Sequence, residues 1–280
     1  MKILVTGVYG FLGFHLANFL AEKHNVFGLY HKNKRENLSK SITVFSDVTQ
    51  MDVQPDVVVM CHAAVVSGTT VLSEKELEIR NVSFTQTILN CFPKAKIIYI
   101  STVAVYGNTA QLITESTSEN PQSDYAASKL KAEKLLLKNA KPTIIRFSSL
   151  YGNGMKENTI IPLYCQQAMQ DKKIVVWGDG SRLQNYIHIS DAVQLINKII
   201  ESDLKVDFPI LGVSLKEYSN AQLAEIIGVI TDSEIFFDGI DTSKSVQYDN
   251  TISQKAVNWQ PEMDLEKGIK QFIEWKQKQF

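Results

Sequence analysis

The sequence is poor in cysteine: Cys61, Cys91 and Cys165 are the three in 280 residues, far apart and without a CxxC pair. That spacing supports neither a disulfide framework nor a zinc site, and no metal is expected. Buried thiols acting as small hydrophobes, in a reducing compartment, fit best. No excess of positive charge is present, since 29 Lys and Arg stand against 30 Asp and Glu. A chain built to track phosphate backbones would be basic, so nucleic acid is not an expected partner. No apolar run approaches the roughly 18 residues of a membrane-spanning helix, so no membrane is expected either. Repeats, low-complexity tracts and linkers are also missing. A strand pattern that begins at Lys2-Ile3 leaves no room for a signal peptide, and a cytoplasmic protein is expected.

What is there is an alternation. Residues 2–6, 25–30, 42–47, 55–64, 96–102 and 142–147 read as strands, and 13–23, 73–92 and the stretch through 123–138 as helices. Strands alternating with helices imply βαβ units and a parallel sheet covered on both faces. After about residue 150 the rhythm changes to loops, helices and short extended pieces. The fold class is therefore α/β: a Rossmann-type doubly wound parallel sheet over 1–150 and a smaller C-terminal substrate-binding lobe over 151–280. Some later segments are expected to return to the sheet.

Four motifs carry chemistry. "TGVYGFLG" places Gly7, Gly10 and Gly13 between a strand and a helix. Gly7 permits the tight turn, Gly10 the approach of backbone to a pyrophosphate, and Gly13 close helix–strand packing. At the end of the second strand, where an acidic residue usually holds the ribose of NAD, stand Tyr30, His31 and Lys32, followed by Lys34 and Arg35. This cluster would attract a 2′-phosphate; a solvated basic loop is the plain alternative. Ser101 and Thr102 end a parallel strand, where ligands bind in such sheets; a hydroxyl capping local backbone is the plain alternative there. Lastly, Tyr125 and Lys129 stand four apart on one helix face. An ammonium beside a phenol is expected to lower the phenol's pKa and fit it for proton transfer.

Together with "SDV" at 46–48, "HAA" at 62–64, Asn81, "RFSSLYG" at 146–152 and "GDGSRLQNYIHISDAV" at 178–193, these motifs make the chain resemble an extended short-chain dehydrogenase/reductase of the nucleotide-sugar epimerase/dehydratase group. The resemblance covers nearly the whole chain. It implies a catalytic trio of Thr102, Tyr125 and Lys129. It implies a dinucleotide, NADP or NAD, held by Gly7, Tyr9, Gly10, Phe11, Leu12, Gly13, Tyr30, His31, Lys32, Asp47, Val48, Ala63, Ala64, Asn81, Ser101 and Phe147, with Tyr125 and Lys129. It implies a nucleotide-sugar substrate near Ser149, Arg182 and Tyr186, and a homodimer paired through 73–92 and 125–138. His15, His62 and His188 are read as structural, and Asp191 as a helix-start carboxylate.

Departures narrow the reaction. Dehydratases of the group carry Asp-Glu after the hydroxyl residue, where this chain has Val103-Ala104, and C3/C5 epimerases use a cysteine in place of Ala104. Relatives often have Arg-Asp where Gln184-Asn185 stands. Two enzyme readings are left: a ketoreductase at C4, favoured by the missing acid near Tyr30, and a 4-epimerase that recycles NAD. A silent dinucleotide-binding module and an enzyme for a non-sugar ketone are the alternatives outside that pair.

Overall fold

Apolar strands without a polar face have to be covered on both sides, and this requirement organises the molecule. The computed structural model describes residues 1–32, 34–65, 72–107 and 112–279. The first half runs β1 (Lys2–Thr6), α1 (Phe11–Leu20), β2 (Asn25–Leu29), β3 (Thr43–Phe45), β4 (Val57–Met60), α2 (Glu74–Leu77), α3 (Phe84–Cys91), β5 (Lys96–Thr102), β6 (Leu112–Ile113), α4 (Asp124–Asn139) and β7 (Thr143–Phe147). A π-helical turn, Glu78–Ser83, joins α2 to α3. The second half runs β8 (Ser149–Tyr151), α5 (Ile160–Asp171), β9 (Lys173–Trp177), β10 (Leu183–His188), α6 (Ile189–Glu201), β11 (Ile210–Gly212), β12 (Glu217–Ser219), α7 (Asn220–Thr231), β13 (Glu234–Asp238), β14 (Gln247–Tyr248), α8 (Thr251–Val257) and α9 (Leu265–Gln277).

Seven strands form one parallel sheet in the order β11-β7-β5-β4-β1-β2-β3. This is the doubly wound order, extended at one edge by β11 from the second half of the chain. Alternation along the strands sorts the core. Ile3, Val5, Val57 and Val59 pack with Leu16 of α1 and Leu195 and Ile196 of α6 on one face. Leu4, Val58 and Met60 pack with Ile88 of α3 and with Ala132 and Leu136 of α4 on the other. A separate core joins α5, α7, α9 and β9 through Cys165, Ile174, Leu223 and Phe272. Full burial of one such side chain contributes about 1.5–3 kcal/mol.

Two sequence expectations shift. The first helix starts at Phe11, inside the glycine motif, because its opening turn is the ligand-facing one. Asp191 lies in the first turn of α6 but does not cap it. His188 is the N-cap, and the Asp191 carboxylate accepts the N–H groups of Glu262 and Met263, tying the chain before α9 to α6. Ser219 does cap α7, in a reciprocal capping box with Gln222.

Candidate active site

The strand order reverses between β1 and β4, and in sheets of this kind the crevice beyond the carboxyl ends at that point is where ligands bind. A cavity of about 770 Å3 opens there. Its floor is Gly10, Phe11 and Leu12, its walls include Ala63, Ser101, Thr102, Tyr125, Lys129, Phe147 and Ser149, and its far side is closed by Met155, Lys156, Val246 and Tyr248.

The glycine motif is a built cradle. Gly7 has φ +66° and lies so close to His62 that a Cβ would stand 3.0 Å from the His62 Cα. A Cβ on Gly13 would stand 2.3 Å from the Gly7 carbonyl oxygen, so the helix can approach the strand this closely only through glycine. At the N-terminus of α1 no side chain caps the helix and no acid stands in the first turn. The free N–H groups there suit a pyrophosphate, so the residues fit the dinucleotide that the motif implies.

The end of β2 is mixed in character. Tyr30 packs edge-on against Tyr9 at 5.2 Å, and the Lys34 ammonium lies 5.4 Å from the Tyr30 ring centre. His31 and Lys32 are exposed. Arg35 instead stacks 4.0 Å over Phe14 of α1 and packs against Gly154, so its guanidinium is committed to α1 and the 152–158 loop. Asp47 is exposed at the end of β3 and caps a short 3-10 turn through Thr49, while the Val48 side chain is buried in the core.

Thr102 caps a 3-10 turn, its Oγ accepting the Ala104 N–H at 3.1 Å. That leaves its own O–H to donate into the cavity. Ser101 has no such freedom, because its hydroxyl donates to buried Glu133. Tyr125 and Lys129 sit in the first two turns of α4, which Ser123 caps. Lys129 is buried, its ammonium 4.0 Å from the centre of the Tyr99 ring. Burial draws its pKa down to about 7, against the opposing pull of Glu133. The expected lowering of the Tyr125 phenol is not seen. Burial pushes it up to about 12, because the phenolate would have to be desolvated.

Asn81 lies behind the cavity. From the π-helical turn its amide accepts the Ala64 N–H at 2.7 Å and donates to the Ala64 carbonyl and to Ser128 Oγ. It thus fixes the Ala63-Ala64 loop to α4. His62 is a packed histidine, with its ring nitrogens on Thr6 and Thr85 and a pKa drawn down to about 3 chiefly by burial. His15 bonds the Asn153 carbonyl and His188 bonds Ser190; neither lines this cavity.

Arg182 and Tyr186 are elsewhere. Arg182 lines a second pocket of about 490 Å3 with Tyr164, Trp177, Asn220 and Ile240, and its guanidinium stands 3.9 Å from Asp241. Tyr186 is buried in the core beneath that lobe. The segment from Asp241 to Tyr248 links the two pockets: Asp241, Thr242 and Ser243 line the second, Val246 and Tyr248 the first.

The sequence model of the NAD dependent epimerase/dehydratase family matches residues 3–209. The chain belongs to that family. It is accordingly an enzyme with the extended short-chain dehydrogenase/reductase fold. A UDP-N-acetyl-alpha-D-glucosaminuronate decarboxylase of Bacillus cytotoxicus is 27% identical, covering 98% of this chain and 97% of that one. A putative UDP-glucose 4-epimerase of Methanocaldococcus jannaschii is 27% identical over 98% and 97%. The crystal structure of a UDP-glucuronic acid 4-epimerase from Bacillus cereus, in complex with NAD, superposes with a TM-score of 0.88 over the whole of both chains at 22% identity; it shares the fold.

Sequence reading missed Val246 and Tyr248, which reach the family member's cavity from more than 100 residues away, and no local pattern marks them. It also passed over Glu133 and Arg146. Glu133 was open to notice, since it continues the Tyr125–Lys129 spacing by one more helical turn.

Proposed function

We propose that the protein is a nucleotide-sugar oxidoreductase acting at a ring carbon, C4, and that it works as a 4-epimerase with NAD retained through the cycle. The observation that carries this reading is the chemistry of the cavity wall. Among the described residues it offers hydroxyls, the Gln122 amide, the Cys61 thiol and the ammonium groups of Lys129 and Lys156, and no carboxylate or imidazole. A proton can be exchanged at the sugar hydroxyl through Tyr125. Nothing there serves as the acid and base that elimination of water requires, in keeping with Val103 and Ala104.

In this reading the N-terminus of α1, with Gly7, Tyr9, Gly10, Phe11, Leu12 and Gly13, holds the pyrophosphate. Tyr30, His31 and Lys32 border the adenine ribose, Asp47 and Val48 the adenine edge, and Ala63, Ala64 and Phe147 the path between. Asn81 and Ser101 act from behind the wall. The nicotinamide, when bound, supplies hydride uptake and return. Thr102 donates a hydrogen bond to the sugar oxygen. Tyr125, entering the step as the phenolate, takes the proton from that oxygen and, as the phenol, gives it back. Lys129 steadies the phenolate and holds the nicotinamide ribose. Ser149 contacts the sugar. Arg182 takes the diphosphate, over the buried Tyr186, so the substrate lies along the 241–248 segment from one pocket to the other. Residues 1–150 thus serve the dinucleotide and 151–280 mainly the substrate.

The relatives' epimerase names support this version over reduction, and the commitment of Arg35 to Phe14 removes one attraction for a 2′-phosphate. A C4 ketoreductase using NADPH is the second reading. Two observations favour it: the Tyr125 phenol is held in its proton-donating form, and Tyr30 and His31, followed by Lys32 and Lys34, stand where an acid is usual. We further propose a homodimer paired through α2, the π-helical turn, α3 and α4, where Ile79 of the turn and Leu137 of α4 are exposed.

One preparation tests all three. The purified protein is denatured and any released dinucleotide identified, and a native aliquot is sized by light scattering. Stoichiometric NAD supports the epimerase. An empty site that takes up NADPH supports the reductase, and a protein that binds neither sinks both. A mass of one 31.5 kDa chain rules out the dimer.

A further inference from the structure

Tyr125, Lys129 and Glu133 occupy successive turns of α4, at i, i+4 and i+8, so all three lie on one face. Glu133 is 1% exposed, an unusual place for a carboxylate. Its oxygens are well used. Oε1 accepts the Ser101 hydroxyl and, at 3.2 Å, Arg146 Nε; Oε2 accepts Arg146 Nη2 at 2.6 Å. Arg146, next to the last residue of β7, is itself 3% exposed, bonds Glu119 as well, and lies 4.7 Å over the Tyr106 ring. A buried ion pair of this kind is weak evidence for stability, because desolvation costs about as much as the attraction returns. Its position relative to the cavity suggests another use.

We propose that Glu133 is a positioning residue for the reaction: it pins the end of β5 through Ser101, the neighbour of Thr102, and supplies the negative charge against which Lys129 keeps its ammonium in the cavity. The inference rests on the reading of Thr102, Tyr125 and Lys129 given above. Every other group facing Lys129 fails to provide that charge. Cys61, at the end of β4, has its thiol pushed up to about 12 and stays neutral. His62 is neutral, drawn down to about 3. Tyr99 of β5 is raised well above its ordinary value and offers only its ring face. Tyr125 is a neutral phenol. Arg146, behind Glu133, has the same sign as Lys129. Because Glu133 bonds Ser101 and Arg146, it acts on Lys129 through its field across one helical turn. The arrangement makes one carboxylate serve two members of the trio, holding the strand end that carries Thr102 while opposing the desolvation of Lys129.

The test reads Lys129 directly. Protein labelled with 13C at lysine Cε is titrated by NMR, with Lys129→Arg giving the assignment. Glu133→Gln keeps the shape and removes the charge. Its Lys129 midpoint is expected to fall by about one pH unit or more, a tenfold loss of proton affinity. Glu133→Asp, which keeps the charge, is expected to restore most of it. Should Glu133→Gln fail to fold, the paired variant Glu133→Gln/Arg146→Gln removes both buried ions; because the lost Arg146 cation offsets part of the lost anion, a smaller fall in the same direction is expected. An unmoved midpoint in a folded variant overturns the proposal. Turnover of a UDP-sugar is followed in parallel. A shifted midpoint with an alkaline limb of kcat shifted alike supports both readings. A shifted midpoint in Glu133→Gln, beside a wild type that turns over no nucleotide sugar, supports the charge relation and removes the proposed function. An unchanged limb beside a lowered melting temperature reduces Glu133 to a structural residue.

Discussion

Lys129 is the residue on which chemistry and stability pull apart. Its ammonium is drawn from 10.5 to about 7 by burial. The charged form is present below that value and lost as pH rises through it. If the ammonium sustains proton transfer at Tyr125, kcat/KM of the free enzyme falls as pH rises above about 7. Stability moves the other way. Between 7 and 10.5 the unfolded chain binds the proton that the folded chain has released, so unfolding becomes harder as pH rises. The His62 and His188 rings, drawn down to about 3 and about 4 by burial, extend the same trend below 6.5. Cys61 and Cys165 together reverse it above 9.0, where the unfolded thiols ionise and the buried ones, both pushed up to about 12, do not. The expected outcome is a melting temperature that climbs from pH 5 to about pH 8 while kcat/KM drops over the upper part of that range. Calorimetry and initial rates on one buffer series check it. In Tyr125→Phe the climb should persist with activity lowered by about 10²–10⁴, the usual weight of a general acid–base group. A melting temperature flat with pH would remove Lys129's desolvation from the account.

Elements decide how far such residues can be read in advance. The strands were legible because buried parallel strands are apolar runs: 96–102 stands in the structure with the bounds expected of it. The glycine motif was legible because its spacing answers a steric demand, the 2.3 Å approach at Gly13. The π-helical turn was not legible. The sequence 73–92 has ordinary helical periodicity, and the extra residue in the turn follows from a tertiary demand, the aiming of Asn81 at Ala64 and Ser128. The same demand commits Asn81, expected to hold the cofactor, to the Ala64 backbone and Ser128. Asn81→Ala leaves the Ala64 N–H and carbonyl without their partner. A loss of about 1–3 kcal/mol is expected from two backbone groups stranded in a half-buried loop. Dinucleotide affinity should fall with it, because Ala63 lines the cavity. Urea unfolding and a fluorescence titration of NADH check both. A variant that loses stability and binds NADH as the wild type does would separate Asn81 from the site.

At the scale of the whole molecule, two pockets share one wall. The segment 241–248 begins at Asp241, beside Arg182, and ends at Tyr248, in the cavity that holds Thr102 and Tyr125. Leu183 N–H bonds Ser245 Oγ at 3.0 Å midway along it, so β10 anchors the segment between the two ends. A substrate reaching from Tyr125 to Arg182 would touch both halves of the chain. Its remote end would then contribute affinity while its near end reacts. Among the described residues Arg182 lines the second pocket and not the one with Thr102, so its charge should bear on binding and not on the chemical step. Arg182→Ala is therefore expected to raise KM for a nucleotide sugar about tenfold or more, the usual weight of a charge-assisted hydrogen bond to phosphate, with kcat nearly unchanged. The same sugar as a free 1-phosphate should be nearly indifferent to the substitution, because it cannot reach the second pocket. Steady-state kinetics on the two substrates check this. A fall in kcat with KM unchanged would place Arg182 in the chemical step, and equal losses on both substrates would detach the second pocket from the substrate altogether.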